Sequence, residues 1–457
     1  MGWEISLRKG IKGSKMRVKR DWIKGLLGSC VVCVLIMTGC GDDVSVSIPL
    51  LSVEQAEFVG GTESETSSEA EATAEASAVA EASSVVEASR ETTVFEPEEI
   101  SITISAAGDV TLGNYKDQPY SYSFRQTYEQ TEDKNYFFAN VADIFSEDDF
   151  TIVNLEGALT FSEEYAEGRT YNIKGDPEYA FMLRDASVEA VSMANNHRLD
   201  YGEDGSRDTV AALEAADILY AYDRNLGICE VEGIQIGWAS VNEATQGRNV
   251  EKYLEEGIKQ LREDGADLIL ACCHWGIERD HYPEDYQKEL GRKCIDWGAD
   301  LVIGHHPHVL QGIDQYQGKY IVYSLGNFCF GANRNPSDKD TMIFQQTFTF
   351  RAEPVDLPQA DSAQEGSVVK GVGASTTAAS EADAEAVSYR LVQTNDARIV
   401  PCSVSSVTSR NNYQPTPLEG ENWQRLIGRI NEYSLEFGVT ADEEGVLSYG
   451  KSIQTGF

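Results

Sequence analysis

Short apolar runs and helical spacings alternate along the chain from about residue 100 to residue 330. The first run alternates apolar and polar positions at Ile100, Ile102 and Ile104, which is the period of a strand. Six further runs predict buried strands, at Phe150–Val153, Val188–Met193, Ile234–Ser240, Leu268–Cys272, Leu301–Ile303 and Tyr320–Ser324. Helical spacing predicts helices between them, at Tyr136–Phe145, Pro177–Ala186, Gly205–Ala216, Asn249–Asp264 and Pro283–Trp297. This alternation predicts an α/β domain built on a largely parallel sheet.

Polar side chains of the kinds that bind metals follow these predicted strands, one to three residues beyond the last apolar position. They are Asp109, Glu156, Asn196, His197, His274, His306, His308 and Asn327. Ligands of open α/β sheets sit in the crevice beyond the carboxyl ends of the strands. The repeated coincidence of position therefore predicts that these side chains form one site.

Three of the six histidines in the chain, His305, His306 and His308, fall within four residues, directly after the predicted strand at 301–303. Pro307 fixes its own φ and stiffens the turn between two of the rings. Neutral imidazole is a common ligand for zinc, iron and related metals. A solvated polar turn is the alternative interpretation, but the clustering favours a metal site.

Carboxylates, an amide and several imidazoles together make a mixed oxygen and nitrogen ligand set. Such a set suits two divalent ions of manganese, zinc or iron, and it differs from a zinc site made of thiolates. Two such ions can clamp a phosphate group, and His197 could then act as the general acid.

The sequence leaves the roles of two neighbouring residues open. Arg198 either binds an anionic substrate or joins a surface salt bridge, and His281 either contacts substrate or is an exposed loop residue.

Six short motifs occur in a fixed order through this region. They are Gly108-Asp109, Asn154-Leu155-Glu156, Asn195-Asn196-His197, His274-Trp275-Gly276, the stretch Gly304–Val309, and Ser324-Leu325-Gly326-Asn327-Phe328. In order and spacing they resemble the CapA-type poly-γ-glutamate capsule-synthesis proteins, over about residues 102–328 and the strand pair near 389–407. The resemblance implies the four-layer α/β/β/α sandwich of the calcineurin-like metallophosphatases, with a site for two metal ions.

The resemblance also implies a role for each matching residue. The implied metal ligands are Asp109, Glu156, Asn196, His274, His306 and His308, and the implied catalytic histidine is His197. Residues expected to support the ligands or to meet the substrate are Asn154, Asn195, His305, Asn327 and Arg198. The sequence departs from active metallophosphatases at Thr111, where they have a histidine ligand, and at Glu156, which belongs to an Asn-Leu-Glu motif. These departures leave phosphoesterase activity open.

The N-terminal region predicts export and membrane attachment. Residues 1–24 carry eight basic residues against two acidic ones, and an apolar run from Gly25 to Met37 follows. This run is shorter than the roughly 20 residues that span a bilayer, and it ends in Thr38-Gly39-Cys40. The pattern resembles a bacterial lipoprotein signal over residues 1–40, with Cys40 as the lipidated residue, and an uncleaved anchor is the alternative. Either interpretation places the domain on the extracellular face of the cell membrane.

Two stretches of low complexity surround and interrupt the domain predicted at residues 100–457. Residues 41–99 form an acidic linker, whose part from residue 54 contains thirteen glutamates and one arginine, and its composition predicts a disordered tether. An Ala/Glu-rich helix near residues 69–88 is the alternative there. A second stretch of similar composition, at about 353–386, predicts a surface insertion within the domain.

The formal net charge of −38 argues against nucleic acid as a partner.

The cysteines do not suggest a metal site. Cys30 and Cys33 lie in the apolar part of the signal, and the six cysteines beyond Cys40 show no spacing typical of zinc ribbons. Three of those six, Cys272, Cys273 and Cys329, fall in apolar strands and are predicted to be buried.

Three functions are consistent with these features. The first is a membrane-tethered component of capsule-polymer synthesis or export, working with the capsule-polymer synthesis machinery. The second is a stand-alone metal-dependent hydrolase of a phosphoester or a cell-envelope ester. The third is a nonenzymatic module that binds an anionic polymer, which the departure at Thr111 favours.

Overall fold

The structure is a computed structural model that describes residues 99–354 and 387–450. The strands, in chain order, are β1 (Glu99–Thr111), β2 (Asn114–Tyr115), β3 (Phe150–Leu155), β4 (Ala158–Leu159), β5 (Ile173–Gly175), β6 (Ala190–Ser192), β7 (Leu219–Ala221), β8 (Gly227–Val231), β9 (Ile234–Asn242), β10 (Leu268–His274), β11 (Leu301–His305), β12 (Ile313–Tyr316), β13 (Lys319–Val322), β14 (Asn327–Phe330), β15 (Asp340–Pro354), β16 (Val387–Ser403), β17 (Thr416–Pro417), β18 (Val439–Ala441) and β19 (Leu447–Tyr449). The α-helices are α1 (Phe124–Gln130), α2 (Ala142–Glu147), α3 (Ala180–Asp185), α4 (Gly202–Ala215), α5 (Glu243–Gln246), α6 (Val250–Glu263), α7 (Asp285–Trp297) and α8 (Gly420–Tyr433). Short 3-10 turns complete them, among them Lys134–Phe138, Pro177–Tyr179 and Leu435–Phe437.

Two large sheets organise the described residues. The first has the order β17-β16-β15-β1-β3-β6-β7, with β14 also paired to β1. Its strands β1, β3, β6 and β7 run parallel, whereas β15 and β16 are antiparallel neighbours on the other side of β1. The second sheet has the order β12-β13-β11-β10-β9-β8 and is parallel from β9 to β13. The predicted α/β class is therefore confirmed. The second sheet has an antiparallel strand at each edge, whereas the first sheet has antiparallel strands on one side of β1 only.

Apolar side chains on both faces of each sheet are buried in separate hydrophobic clusters. One cluster contains Ile152 of β3 together with Leu270 of β10, so it draws on both large sheets. The adjacent residue Val153 points the other way, into a cluster with residues of α2, α3 and α4. Ala271 of β10 similarly points into a third cluster, with residues of α6 and α7. Successive strand residues face opposite sides of a sheet, so the continuous apolar runs in the sequence reflect burial on both faces.

The structure corrects some predicted boundaries. Residues 136–145 form a 3-10 turn whose N-cap is Asp133, followed by the separate helix α2. Both pieces bury the phenylalanines that produced the helical spacing, which is why one continuous helix was expected. Asn327 is the first residue of β14 and not an extension of β13, because Gly326 adopts a φ of 71° and turns the chain toward β1.

Several predictions concern residues outside the described ranges. They are the signal at residues 1–40 with Cys40, the acidic linker up to residue 98, and the low-complexity insertion from residue 355 to residue 386. Within the described ranges, no helix has both the length and the apolar character required to cross a bilayer. The six cysteines there are free thiols, and the three predicted to be buried, Cys272, Cys273 and Cys329, are buried.

Candidate metal centre

Strand pairing alone places three of the predicted polar residues side by side. Asp109, near the end of β1, is in register with Asn154 of β3 on one side and with Asn327 of β14 on the other. Gly108 permits the close approach of β14, because a Cβ atom at this position would lie 2.0 Å from the carbonyl oxygen of Gly326. The same carbonyl oxygen accepts a hydrogen bond of 2.9 Å from the backbone N–H of Asp109.

A chain of amide side chains connects this aspartate to the loop after β6. Asn154 donates from Nδ2 to Asp109 Oδ1 at 2.8 Å, and its Oδ1 accepts from Asn195 Nδ2 at 3.1 Å. Asn195 Oδ1 in turn accepts from the backbone N–H of His197 at 3.1 Å. Asn154 and Asn195 are both buried, so these bonds fix the loop that carries Asn196 and His197 relative to Asp109.

The second sheet contributes His274, the last residue of β10. His274 Nε2 lies 2.9 Å from Asn196 Oδ1, so the end of the second sheet meets a loop of the first sheet. Its imidazole is 1 % exposed, and its ring centroid lies 4.6 Å from that of His306. Polar residues after strands of different sheets are thus brought together.

Glu156 is the buried carboxylate at the middle of these groups. Its Oε1 lies 3.8 Å from His308 Nε2 and 3.9 Å from the Nε2 atoms of His197 and His274. The residue is 1 % exposed, and neither carboxylate oxygen has a hydrogen-bond partner among the described residues. A buried carboxylate without partners costs several kcal/mol unless a positive charge faces it. The surroundings of Glu156 therefore favour a cation.

The His306-Pro307-His308 turn holds two imidazoles in a strained backbone conformation. His306 has a φ of 97° and His308 a φ of 57°, values that non-glycine residues rarely adopt. Asn327 holds the turn, since its Nδ2 donates to the carbonyl of His308 at 3.0 Å and its Oδ1 lies 3.0 Å from His308 Nδ1. His308 Nδ1 also lies 3.1 Å from Asp109 Oδ2. Backbone strain of this kind persists where neighbouring contacts over-determine it, and it clusters at functional sites.

The pKa values of the buried groups follow from burial and from their mutual charges. Burial raises the pKa of Glu156 to about 7. Burial lowers the pKa of His274 well below its usual value, and burial with the charge of His308 lowers the pKa of His306 to about 4. Burial also opposes protonation of His308, but Glu156 and Asp109 raise the pKa of His308 to about 10. His274 and His306 are therefore neutral near pH 7, which is the protonation state that a metal ligand requires, whereas His308 must lose a proton when it binds a metal.

Two groups of side chains have the geometry to hold a cation. In the first, ligand atoms of Asp109, Glu156 and His308 all lie within 4.8 Å of one another, and in the second those of Glu278, His306 and His308 do. The donors are carboxylates and imidazoles, a set that suits divalent manganese, zinc or iron. The residues present therefore fit a divalent transition metal.

The matched family model covers the residues that build this centre. The model is described as "Bacterial capsule synthesis protein PGA_cap" and matches residues 103–332, about half of the chain. The chain belongs to this family. All of the residues in the two ligand groups lie within the matched range.

Relatives of this chain carry names that refer to the synthesis of PGA, of a capsule or of polyglutamine. The PGA biosynthesis protein CapA of Bacillus subtilis is 28% identical over 57% of this chain and 73% of its own length. The capsule biosynthesis protein CapA of Bacillus anthracis is 27% identical over 51% of this chain and 61% of its own length. A probable polyglutamine synthesis accessory protein of Mycobacterium tuberculosis, Rv0574c, is 26% identical over 39% of this chain and 55% of its own length. The chain thus spans about three quarters of the first relative and less than two thirds of the other two.

One solved structure shows a weak similarity to this PGA_cap protein. It is a hypothetical protein from Thermus thermophilus, which is 17% identical and covers 54% of this chain and 93% of its own length. The TM-score is 0.33, which is too low to support an argument about the fold.

Two residues that reach the centre were not predicted from the sequence, namely Asp200 and Glu278. Asp200, which is fully buried, lies with its Oδ2 2.7 Å from His197 Nδ1, and Arg169 Nη1 donates to its Oδ1 at 2.7 Å. Glu278, in the loop after β10, belongs to the second ligand group. Asp200 follows His197 by three residues and Glu278 follows His274 by four. Proximity to a predicted site residue was therefore the only available signal.

The other predicted residues lie around the centre and make different contacts. His305 is buried on β11 with Nε2 3.2 Å from the carbonyl oxygen of Ala107, so it ties the two sheets together. Arg198 forms a salt bridge of 2.9 Å with Asp223 and donates to Ser206 Oγ at 2.9 Å. Of the two interpretations of Arg198, the salt bridge is the one for which the structure shows a partner, Asp223.

His281 is held by contacts away from the ligand groups. Its Nδ1 lies 3.0 Å from the carbonyl oxygen of Leu310, and its ring stacks on Tyr433 of α8 with centroids 5.0 Å apart. Tyr433 accepts a hydrogen bond of 3.0 Å from Arg429, which is itself 2.8 Å from Asp338. These contacts make His281 part of the packing between α8 and the loop after β10.

Proposed function

We propose that this chain is a membrane-tethered, extracellular component of poly-γ-glutamate capsule synthesis or export. The observation that carries the proposal is the PGA_cap family match over residues 103–332, which includes every residue of both ligand groups. The names of the Bacillus relatives support the capsule pathway. The basic and apolar N-terminal pattern ending at Cys40 supports a lipid anchor, and the acidic stretch after it supports a spacer between membrane and domain.

The proposal includes a centre for two divalent ions of manganese, zinc or iron, set in a four-layer α/β/β/α sandwich of the metallophosphatase type. Three hydrophobic clusters, one drawing on both sheets and two on sheets and helices, support that layering. Asp109, Glu156, Asn196, His274, His306 and His308 are the residues that would hold the ions, with Asn154, Asn195 and Asn327 positioning them. Bound divalent ions supply positive charge that polarises a phosphoryl or carbonyl group. The partners in this proposal are the capsule-polymer synthesis machinery and an anionic polymer.

Deletion of the gene in its own bacterium tests the capsule function. We expect the deletion strain to lose cell-attached γ-linked glutamate polymer, measured as glutamate released by acid hydrolysis of polymer that has been extracted from washed cells and freed of protein with protease. Reintroduction of the wild-type gene or of the His281→Ala variant should restore the polymer, because His281 lies outside both ligand groups. The variant protein with Cys40→Ala should no longer be retained at the membrane. An unchanged amount of polymer in the deletion strain would contradict the proposal.

A second candidate function, metal-dependent hydrolysis of a phosphoester, is favoured by the pairing of His197 with Asp200. Burial lowers the pKa of His197, but the hydrogen bond that its ring donates to Asp200 and the charge of Glu156 raise that pKa above its usual value. Protonated His197 donates Nδ1–H to Asp200 and keeps its Nε2–H, on the side of Glu156, for a leaving oxygen. Asp200 thus positions a general acid beside the ligand groups.

Turnover of a chromogenic phosphoester by the purified protein with added manganese tests this candidate. We expect His197→Ala to lower kcat by roughly 10²–10⁴-fold, which is the usual contribution of a general acid. Asp200→Asn should lower kcat and also move the pKa seen in the pH profile downward, because it removes the carboxylate that raises the pKa of His197. Both variants should keep the wild-type metal content. Equal turnover in wild type and His197→Ala would exclude His197 as the acid.

A further inference from the structure

Glu278 extends from the loop after β10 toward the imidazoles of the His306-Pro307-His308 turn. One carboxylate oxygen of Glu278 and one ring nitrogen from each of His306 and His308 lie within 4.8 Å of one another. Glu278 is exposed, and it makes no hydrogen bond or ion pair with any residue in the described ranges. Two other carboxylates near it in sequence do have partners, since half-buried Asp280 accepts a hydrogen bond from the N–H of Tyr282 and exposed Asp285 faces Lys288. Glu278 is thus a carboxylate without a hydrogen-bond partner in the described ranges, and it lies beside two imidazoles.

His306 supplies a second, independent sign of a ligand at this point. Its side chain belongs to a residue only 8 % exposed, and Nδ1 has no hydrogen-bond partner among the described residues. A buried ring nitrogen normally has a partner, and leaving one without costs free energy. The backbone of His306 is also strained, with a φ of 97°. Such strain is typical of a residue held in place for binding.

The two ligand groups share His308, whose imidazole would release both ring protons if an ion bound at each nitrogen, and they differ in their access to solvent. Asp109 and Glu156 are 0 % and 1 % exposed, so the first group encloses an inner position. Glu278 is exposed, so the second group faces solvent and forms an outer position. Two imidazoles and one carboxylate leave coordination positions open for another ligand, as in metal sites that carry out catalysis.

We infer that Glu278 is a metal ligand, which together with His306 and His308 holds an exchangeable divalent transition metal at an outer position. This inference rests on the proposed metal centre and adds a ligand that the sequence motifs did not include. The inner ion is enclosed by buried carboxylates and dissociates slowly. The outer ion exchanges with solvent and is the one within reach of a substrate.

Metal titration of the purified full-length protein tests the inference without any assay of turnover. Manganese chloride alone is the probe, and binding is followed by electron paramagnetic resonance and by calorimetry. We expect two binding events in the wild type. In Glu278→Gln the tighter event should remain unchanged, and the affinity of the weaker event should fall by more than about tenfold. Glu278→His, which replaces the weak neutral amide oxygen of the glutamine variant with an imidazole nitrogen, should recover part of the second event.

Asp285→Asn is the matched control, because it removes one exposed carboxylate seven residues away that belongs to neither ligand group. It should bind both ions as the wild type does. Two events of wild-type affinity in Glu278→Gln would overturn the inference while leaving the two-ion centre intact. Loss of both events together in a folded Glu278→Gln protein would also overturn it. A wild type that binds no manganese would instead overturn the proposed metal centre itself.

Discussion

Replacement of His308 by alanine is expected to remove both cation positions at once. His308 is the residue common to the two ligand groups, and its Nδ1 and Nε2 face the carboxylates of Asp109 and Glu156. Outer-shell substitutions alone cost 10–100-fold in metal affinity, so loss of a shared ligand should cost more than about 100-fold. Metal content of the purified protein, measured by mass spectrometry after dialysis, should fall from one to two equivalents to nearly none.

Three further variants separate ligand loss from other effects of the His308 substitution. His308→Gly relieves the positive φ of 57° and should lose metal as His308→Ala does, which excludes backbone strain as the cause. His306→Ala should lose only the outer ion, because His306 belongs to one group. His281→Ala should keep the wild-type content, since His281 contacts Leu310 and Tyr433. A folded His308→Ala protein with wild-type metal content would contradict the centre described above.

Gly108→Ala is expected to destabilise the domain strongly. The new Cβ atom would lie 2.0 Å from the carbonyl oxygen of Gly326 and 2.9 Å from its carbon. Both are backbone atoms of the segment that leads into β14, and they cannot move without breaking the bond to the N–H of Asp109. We expect the free energy of unfolding to fall by about 3 kcal/mol or more, measured by urea unfolding.

Gly428→Ala is the control, for which we expect the free energy of unfolding to rise. Gly428 lies in α8, and a Cβ atom there would meet nothing within 4 Å. An alanine in a helix interior is more favourable than glycine by roughly 0.5–1 kcal/mol, so this variant should gain stability. Equal stability of Gly108→Ala and the wild type would show that β14 does not pack against β1 as described. Because Asn327 is carried by β14, Gly108→Ala should also weaken metal binding.

Much of the fold was predictable because its central strands are buried on both faces. The run before His305 and the run before His274 are continuously apolar in the sequence, and both form parallel strands. The helices α4, α6 and α7 lie within three residues of their predicted ends, since each presents an apolar face at helical spacing. Local pattern did not predict the assignment of strands to two separate sheets. That assignment depends on pairing between residues such as Ile104 and Gln346, which are far apart in the sequence.

The sequence could predict which side chains meet in the metal centre only for residues that directly follow a strand. Asp109, Glu156 and His274 each follow a predicted strand, and the structure brings all three within one cluster. Asp200 and Glu278 reach the same place from loops, whose path depends on tertiary contacts such as the bond from Ile173 N–H to Asp200. The conformation of the turn was equally unpredictable from local pattern, since His308, which has a positive φ, is held by hydrogen bonds to Asn327 from a different strand.

The position of β1 determines when during translation the domain can fold. Its neighbours on one side, β3 and β6, are made soon after it, but its partner on the other side is β15, where Glu99 pairs with Arg351. A growing chain therefore carries a central strand with one open edge until about 250 further residues have left the ribosome. Contacts so distant in sequence slow folding and leave edges exposed to other chains. The first sheet is consequently completed only after β15 has been made.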